Sequence, residues 1–408
     1  MLREHSRKII DAALADAMPD AAVRSALTEL PRCAGKLVLV AAGKAAWQMA
    51  SAAWEQLGQR IQSGIVITKY GHSRGPIGHL SVFEAGHPVP DGNSYRATRQ
   101  AVELVSGLGE EDLVLFLLSG GGSALFEDPL IPPEDLQRLT GELLACGADI
   151  VQINTLRKRF SAVKGGRFGA LCAPARVFTV VLSDVLGDRL DVIASGPACP
   201  DTSTCEEALR TVRSFGLTLT AEMEELLARE TPKALPNVTT RITGSVRQLI
   251  CSAERVCREL GYETVVLTDR LCCTARDAGS FLGSIARYHC GRGRKLAFLL
   301  GGETVVKLTG KGLGGRNQEL ALAAAEGIAG LPAAVFSLGS DGTDGPTDAA
   351  GGFVDGSSLA RLLDAGLRPE AVLGENDSYH ALEKIGGLIV TGPTGTNVND
   401  LTVLLIEG

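Results

Sequence analysis

A chain of 408 residues, 45% hydrophobic and 21% charged, has ample material for buried cores and for two or three domains. A formal net charge of −7 and an aromatic content of 4% exclude an extended cationic surface for nucleic acid, because no Lys/Arg cluster is long enough to displace many counterions. The uncharged runs at 113–126 and 327–340 are too short to span a bilayer, so no membrane partner is expected. The N-terminal MLREHSRKIIDAALADAM reads as an amphipathic helix without the apolar segment of an export signal. Ten cysteines are scattered with no CxxC pair, which points to reduced thiols and a cytoplasmic protein.

Along the chain, short apolar runs alternate with segments compatible with helices. KLVLVAAGK (36–44), GIVITKYG (64–71), DLVLFLLSGGG (112–122) and ARVFTVVLSDVLG (175–187) each end in glycine or polar turns. That rhythm predicts a doubly wound parallel sheet of the Rossmann-like kind. The stretch RETPKALPNVTTRITGSV (229–246) loosens the pattern and predicts a boundary, dividing the chain into domains 1–238 and 239–408. A second α/β block comes after it, with strands expected at ETVVLTD (263–269), KLAFLLGGETVVKL (295–308), AAVFSLGSDG (333–342) and TVLLI (402–406). The segment HSRGPIGHLSVFE after Gly71 is less distinctive, and its role stays open.

In open parallel sheets ligands collect where strands end, so those residues are the ones to inspect. The first run ends in Gly43 and Lys44, the third in Ser119, Gly120, Gly121, Gly122 and Ser123, and the fourth in Ser183 and Asp184 with Asp188 close behind. Later runs end in Gly301, Gly302 and Glu303 and in Asp341 and Asp344. Glycines, hydroxyls, a lysine and acids so placed are the parts of a phosphoryl-transfer site: amide nests for oxygens, cations for transferring charge and carboxylates for Mg²⁺. Each has a plainer alternative. Gly43 and Lys44 lack the rest of a Walker A loop and, taken alone, read first as a tight turn with a solvated lysine, whereas Asp341 and Asp344 fit a solvated Asx-turn as well as a metal. Ser123 lacks the Gly-x-Ser-x-Gly elbow of a hydrolase nucleophile and is counted as a phosphate ligand.

The stretch GGETVVKLTGKGLGGRNQE (301–319) predicts a strand emptying into a glycine-rich turn that opens a helix, a device for holding a phosphate or carboxylate. Gly310, Gly312 and Gly315 also match a dinucleotide fingerprint, which keeps a nicotinamide site as the competing reading, although Lys311 and Arg316 load the turn with unusual charge. Among the histidines, His87 in EAGHPVPD is the best functional candidate because Pro88 and Pro90 stiffen its loop. Asn154, Arg157, Lys158 and Lys164 form a basic cluster suited to a small carboxylate, with a solvated helix face as the alternative.

The blocks AGKAA (42–46), AGHPVPDGNS (85–94), LLSGGGSAL (117–125), INTLRKRFSAVKGG (153–166), VLSDVLGD (181–188), IASGP (193–197), GGRNQE (314–319), SDGTDGPTDAAGG (340–352) and TGPTGTNVND (391–400) together resemble the class II glycerate 2-kinases, known also by their C-terminal MOFRL domain. The resemblance runs in order from about Lys36 to the C-terminus. It implies two α/β domains, the second a smaller mixed MOFRL-type one, with the active site in the cleft between them. It also implies phosphorylation of D-glycerate by ATP with Mg²⁺ to give 2-phosphoglycerate. Lys44 and Arg316 stand at the positions of the two cations implicated in catalysis in such enzymes. With that chemistry Asp184 is the preferred acceptor of the hydroxyl proton, Asp341 and Asp344 serve Mg²⁺, and Gly120, Gly121, Gly122, Ser123, Asn154, Lys158, Asp188, Gly314, Gly315 and Asn397 are assigned to substrate or phosphate. A small-molecule substrate and a nucleotide are the expected partners, and a homo-oligomer is left open. The alternatives are an NAD(P)H-dependent hydroxypyruvate reductase, a name often given to such proteins, and a regulatory sugar-acid-binding protein.

Overall fold

The apolar runs form strands because a central parallel strand, covered by helices on both faces, must be apolar on both. The computed structural model describes residues 1–183, 185 and 187–408, and the chain divides into two units, Ala22–Thr243 and Met1–Ala21 with Gly244–Gly408.

The first unit is built on β1 (Leu37–Ala42), β2 (Ile61–Lys69), β3 (Ser81–Ala85), β4 (Leu113–Leu118), β5 (Arg176–Leu182) and β6 (Val238–Gly244), in the sheet order β3-β2-β1-β4-β5-β6. The pairings of β3 with β2, β2 with β1, β1 with β4 and β4 with β5 are all parallel. Alternate residues feed two cores: Val38, Val40, Val114 and Phe116 enter one, and Leu37, Leu39, Leu113 and Leu115 the other. This is the doubly wound, Rossmann-like order, and its direction of winding reverses between β1 and β4. The carboxyl ends of those two strands are therefore where a ligand crevice opens.

The second unit is a mixed sheet of β7 (Glu263–Leu271), β8 (Leu296–Gly302), β9 (Ala333–Gly339), β10 (Gly351–Asp355), β11 (Leu388–Ile389) and β12 (Asp400–Ile406), ordered β11-β10-β9-β12-β8-β7. β12 runs antiparallel to both β8 and β9, so its first residue stands beside their last ones.

Three expectations change. The N-terminal helix Leu2–Asp16 belongs to the second unit, because Ile9, Ile10 and Ala13 share a core with Val246, Leu249 and Ile250 of the helix Val246–Glu259. The boundary between the units falls at Thr243 and Gly244, and the Thr-rich stretch before it holds the sheet-edge strand β6. The run expected as one strand over 295–308 stops at Gly302, and the residues beyond it form a loop in which Leu308 is 81% exposed.

Candidate active site

At the reversal point of the first sheet, the turns after β1 and β4 are tied together. The Lys44 amide donates to the Gly120 carbonyl (2.8 Å) and the Ala45 amide to Ser119 Oγ (3.1 Å). Gly43, at φ 128°, lies so close to Ser119 that any Cβ would collide with it. These contacts leave the Lys44 side chain beside Gly121, which adopts φ 85°. A Cβ placed on Gly121 would stand 3.0 Å from His87 Cδ2, 3.1 Å from His87 Nε2 and 3.1 Å from Lys44 Cγ. Among the described residues no carboxylate pairs with Lys44 or with Lys69 at the end of β2. Burial first, then Lys44, Lys69 and His72, push the His87 imidazole below its ordinary value. The end of this sheet is thus open and cationic, fitted to an anion.

One wall is polar. Ser123 Oγ lies 3.3 Å from Ser195 Oγ, which donates to Asn154 Oδ1 (2.9 Å). Asn154 is 3% exposed and its buried Nδ2 has no partner among the described residues. Ala194, Ser195 and Gly196 take φ 49°, 60° and 65°, a rare run for side-chain-bearing residues that turns Ser195 toward Asn154. Ser195 was not anticipated as part of this wall, although IASGP is one of the blocks that carry the resemblance; two consecutive non-glycine residues at positive φ leave no composition signal.

The basic cluster is less available than its spacing predicts. Lys158 forms a buried ion pair with Asp201 (3.0 Å), and Asp201 also accepts from Ser203 Oγ and Thr231 Oγ1, each at 2.8 Å. Lys164 pairs with Glu127, and burial lowers its ammonium to about 8. Arg157 donates to the Ser123 carbonyl (3.1 Å) and so braces the glycine turn from behind. One of the three N–H groups of Lys158 is thereby committed to the framework, and the residue lines the same pocket as Asn154. Asp188 sits at φ 54° with a buried Oδ1 that has no partner among the described residues, and Asp184 lies outside the described residues.

In the second unit, Arg316 opens the helix Arg316–Ala324 beside the start of β12. Its guanidinium grips Asp400 in two places, Nε to Oδ2 at 2.6 Å and Nη2 to Oδ1 at 2.9 Å, and Nη1 lies 3.0 Å from Glu303 Oε1. Burial raises the Asp400 carboxyl to about 6 against the pull of Arg316, so the pair is charged at neutral pH. Asp400 and Glu303 were not anticipated as partners of Arg316; β12 brings Asp400 there from 84 residues away, and Glu303 comes from the end of β8.

The glycine-rich turn is filled from within the unit. Thr309 and Gly310 donate to Asn376 Oδ1 (2.7 and 2.9 Å), Gly312 to the Glu375 carbonyl (2.8 Å) and Leu313 to Asp377 Oδ1 (3.0 Å). Cβ atoms at Gly310 and Gly312 would run into the 375–377 segment, and at Gly314 into Ser378. The first half of the turn is thus mainly a packing device, and the amides of Lys311, Gly314 and Gly315 are the ones without such partners among the described residues. Asp344 is 2% exposed and caps the helix, accepting from the Asn317 amide (3.2 Å) and the Gln318 amide (2.9 Å). Both oxygens therefore accept from backbone donors, which gives the carboxylate a role at the helix start beside the Mg²⁺ contact expected of it. Asp341 closes an Asx-turn through Oδ1 with the Thr343 amide (2.9 Å), and its second oxygen has no hydrogen-bond partner among the described residues. Among the described residues no three His, Cys, Asp or Glu side chains gather as a metal cluster. Asn397 lies half-buried in the loop leading into β12.

Fold and site define a two-unit α/β protein with cationic strand ends in one unit and an acid-held arginine at a helix start in the other. Residues 5–228 match the family described as Domain of unknown function (DUF4147), and residues 296–400 match the MOFRL family. The chain is 50% identical to a D-glycerate 2-kinase of Thermotoga maritima, over 99% of this chain and 98% of that one. A crystal structure of a glycerate kinase from Thermotoga maritima superimposes with a TM-score of 0.96 at 50% identity, covering 99% of each chain. A relative from Agrobacterium vitis, 40% identical over 99% of this chain and 94% of its own, carries the name putative hydroxypyruvate reductase. The chain belongs to the MOFRL-containing glycerate 2-kinase family.

Proposed function

We infer that the protein transfers the γ-phosphoryl group of ATP to the 2-hydroxyl of D-glycerate, giving 2-phosphoglycerate and ADP. Beyond family membership, the observation that carries this reading is the open cationic end of the first sheet, where Lys44 projects beside a glycine turn with no carboxylate among the described residues to neutralise it. Phosphoryl transfer asks for placement and for neutralisation of charge on the transferring group, with little covalent help. Lys44 is assigned to that charge. The Gly120 to Ser123 turn, braced by Arg157 and by the Ser195–Asn154 pair, is assigned to the glycerate carboxylate.

Arg316 is assigned to a phosphate oxygen of the nucleotide. Asp400 fixes the fork through Nε and Nη2, and the half-exposed Glu303 is the partner that Nη1 can exchange for an anion. The residues fit a Mg²⁺ ion that arrives with the nucleotide and keeps several waters, with the free oxygen of Asp341 as its protein contact. Bound there, the ion would offset charge on the phosphate oxygens. The reductase reading loses its main support, because the Gly310, Gly312 and Leu313 amides of the fingerprint turn already donate to the 375–377 segment. The test is ADP release that depends on D-glycerate. Glycerate-independent ATPase activity, or NADH-dependent reduction of hydroxypyruvate without ADP release, would overturn the reading.

A further inference from the structure

We propose that His87 takes the proton of the glycerate 2-hydroxyl as the phosphoryl group is transferred. The proposal rests on the kinase reading above and names the group that this reading leaves unassigned.

His87 is held in place by its loop. β3 ends at Ala85, and the helix Gly92–Val105 beyond the loop is capped by Asp91, whose Oδ1 accepts from the Asn93 and Ser94 amides, each at 3.0 Å. Tyr70, just past β2, donates to Asp91 Oδ2 (2.7 Å) and ties the far end of the loop to the sheet. Gly86 packs so tightly on Val89 and Asp91 that a Cβ there would collide. The chain is thus fixed on both sides of residue 87, and the ring edge is delivered to Gly121.

At Gly121 the missing side chain lets the His87 ring edge and the Lys44 stem close on one turn, since a Cβ there would stand 3.1 Å from both His87 Nε2 and Lys44 Cγ. Among the described residues Nε2 has no hydrogen-bond partner. A hydroxyl bound against the partly exposed face of this turn would meet the His87 imidazole beside the lysine assigned to the transferring charge, which is what in-line transfer to an alcohol oxygen requires. The charged and titratable groups acting on the ring are Lys44 after β1, Lys69 at the end of β2 and His72 in the loop beyond it; all are cationic or neutral. With burial they keep the imidazole neutral at pH 7, and with the proton on Nδ1 the Nε2 lone pair is available to a hydroxyl.

The step balances within these groups. The bond from the 2-oxygen to the γ-phosphorus forms, the bond from that phosphorus to the ADP oxygen breaks with its electron pair leaving on ADP, and the hydroxyl proton moves to Nε2. The imidazolium then loses its proton to water as product leaves. The negative charge of the nucleotide phosphates offsets the cations that would otherwise resist protonation of the ring.

The test is the pH dependence of kcat/KM for the wild type, His87→Gln, His87→Asn and Asp184→Asn. The expected result is an acidic limb in the wild type, a fall of about 10²-fold or more in kcat for both His87 variants with that limb lost, and a limb retained in Asp184→Asn. The proposal fails if both His87 variants, with unchanged thermal transitions, keep kcat within about threefold and retain the limb, or if Asp184→Asn abolishes it. A wild type without glycerate-dependent ADP release overturns the kinase reading itself, an outcome distinct from an active wild type with indifferent His87 variants.

Discussion

Removing the Asp344 side chain tests whether this carboxylate serves a helix or a metal. It accepts from the Asn317 and Gln318 amides at the start of the helix that carries Arg316, and it is 2% exposed. In Asp344→Ala both amides lose their acceptor in a site closed to water, at about 1–3 kcal/mol for each buried orphan. Loss of a buried charge offsets part of this, because burial holds the Asp344 carboxyl above its ordinary value against the amide bonds. The net cost at neutral pH is about 2 kcal/mol, in line with loss of an N-cap. At about 2–4 °C per kcal/mol for a unit of this size, the transition of the second unit should fall by about 4–8 °C. The sign of the pH dependence comes from the raised value. The folded state favours the neutral carboxyl, so its contribution is fullest below about pH 4, the unfolded value, and declines as pH rises through the folded one. The difference in Tm between wild type and variant should therefore widen toward acid. Differential scanning fluorimetry across pH and a Mg²⁺ titration of activity provide the two readouts. An unchanged Tm together with a raised Mg²⁺ requirement would refute the capping role and leave Asp344 to the metal.

Lys44→Ala should lower kcat by about 10²-fold or more with a smaller change in KM, because its ammonium is assigned to charge that develops during transfer; a near-normal kcat by steady-state kinetics would remove it from the reaction. Arg316→Lys should recover only part of what Arg316→Ala loses, since a point charge cannot hold Asp400 in two places and still present a donor to phosphate; full recovery of kcat/KM would show that the fork is dispensable. Gly315→Ala should destabilise the second unit in the same direction as Asp344→Ala, because the new Cβ collides with the Asp344 carboxylate, and the two changes together should cost less than their sum; strict additivity in thermal unfolding would separate the two sites.

The first sheet was readable because buried parallel strands are continuous apolar runs, and β1, β4 and β5 stand out against the helices between them. β3 and β6 were not: as edge strands of mixed exposure they carry Ser81, Glu84, Thr239, Thr240 and Arg241, which read as loop. Lys44 and the Ser119 to Ser123 turn could be found because strand ends are local features. The pairing stayed hidden. Lys158 with Asp201, Arg316 with Asp400 and the glycine turn with Asn376 join residues 43, 84 and 66 positions apart, so a cation or a glycine looked free when a distant side chain already met it. The N-terminal helix was placed in the wrong unit for the same reason: its periodicity announced an apolar face but not the face of the Val246–Glu259 helix that covers it.

The phosphorus spectrum of the reaction mixture tests the central claim most directly. Incubated with D-glycerate, ATP and Mg²⁺, the protein should produce the ³¹P resonance of 2-phosphoglycerate in step with ADP, and Lys44→Ala should slow both equally. A spectrum in which 3-phosphoglycerate appears instead, or in which ATP remains intact while hydroxypyruvate is reduced by NADH, would contradict the account.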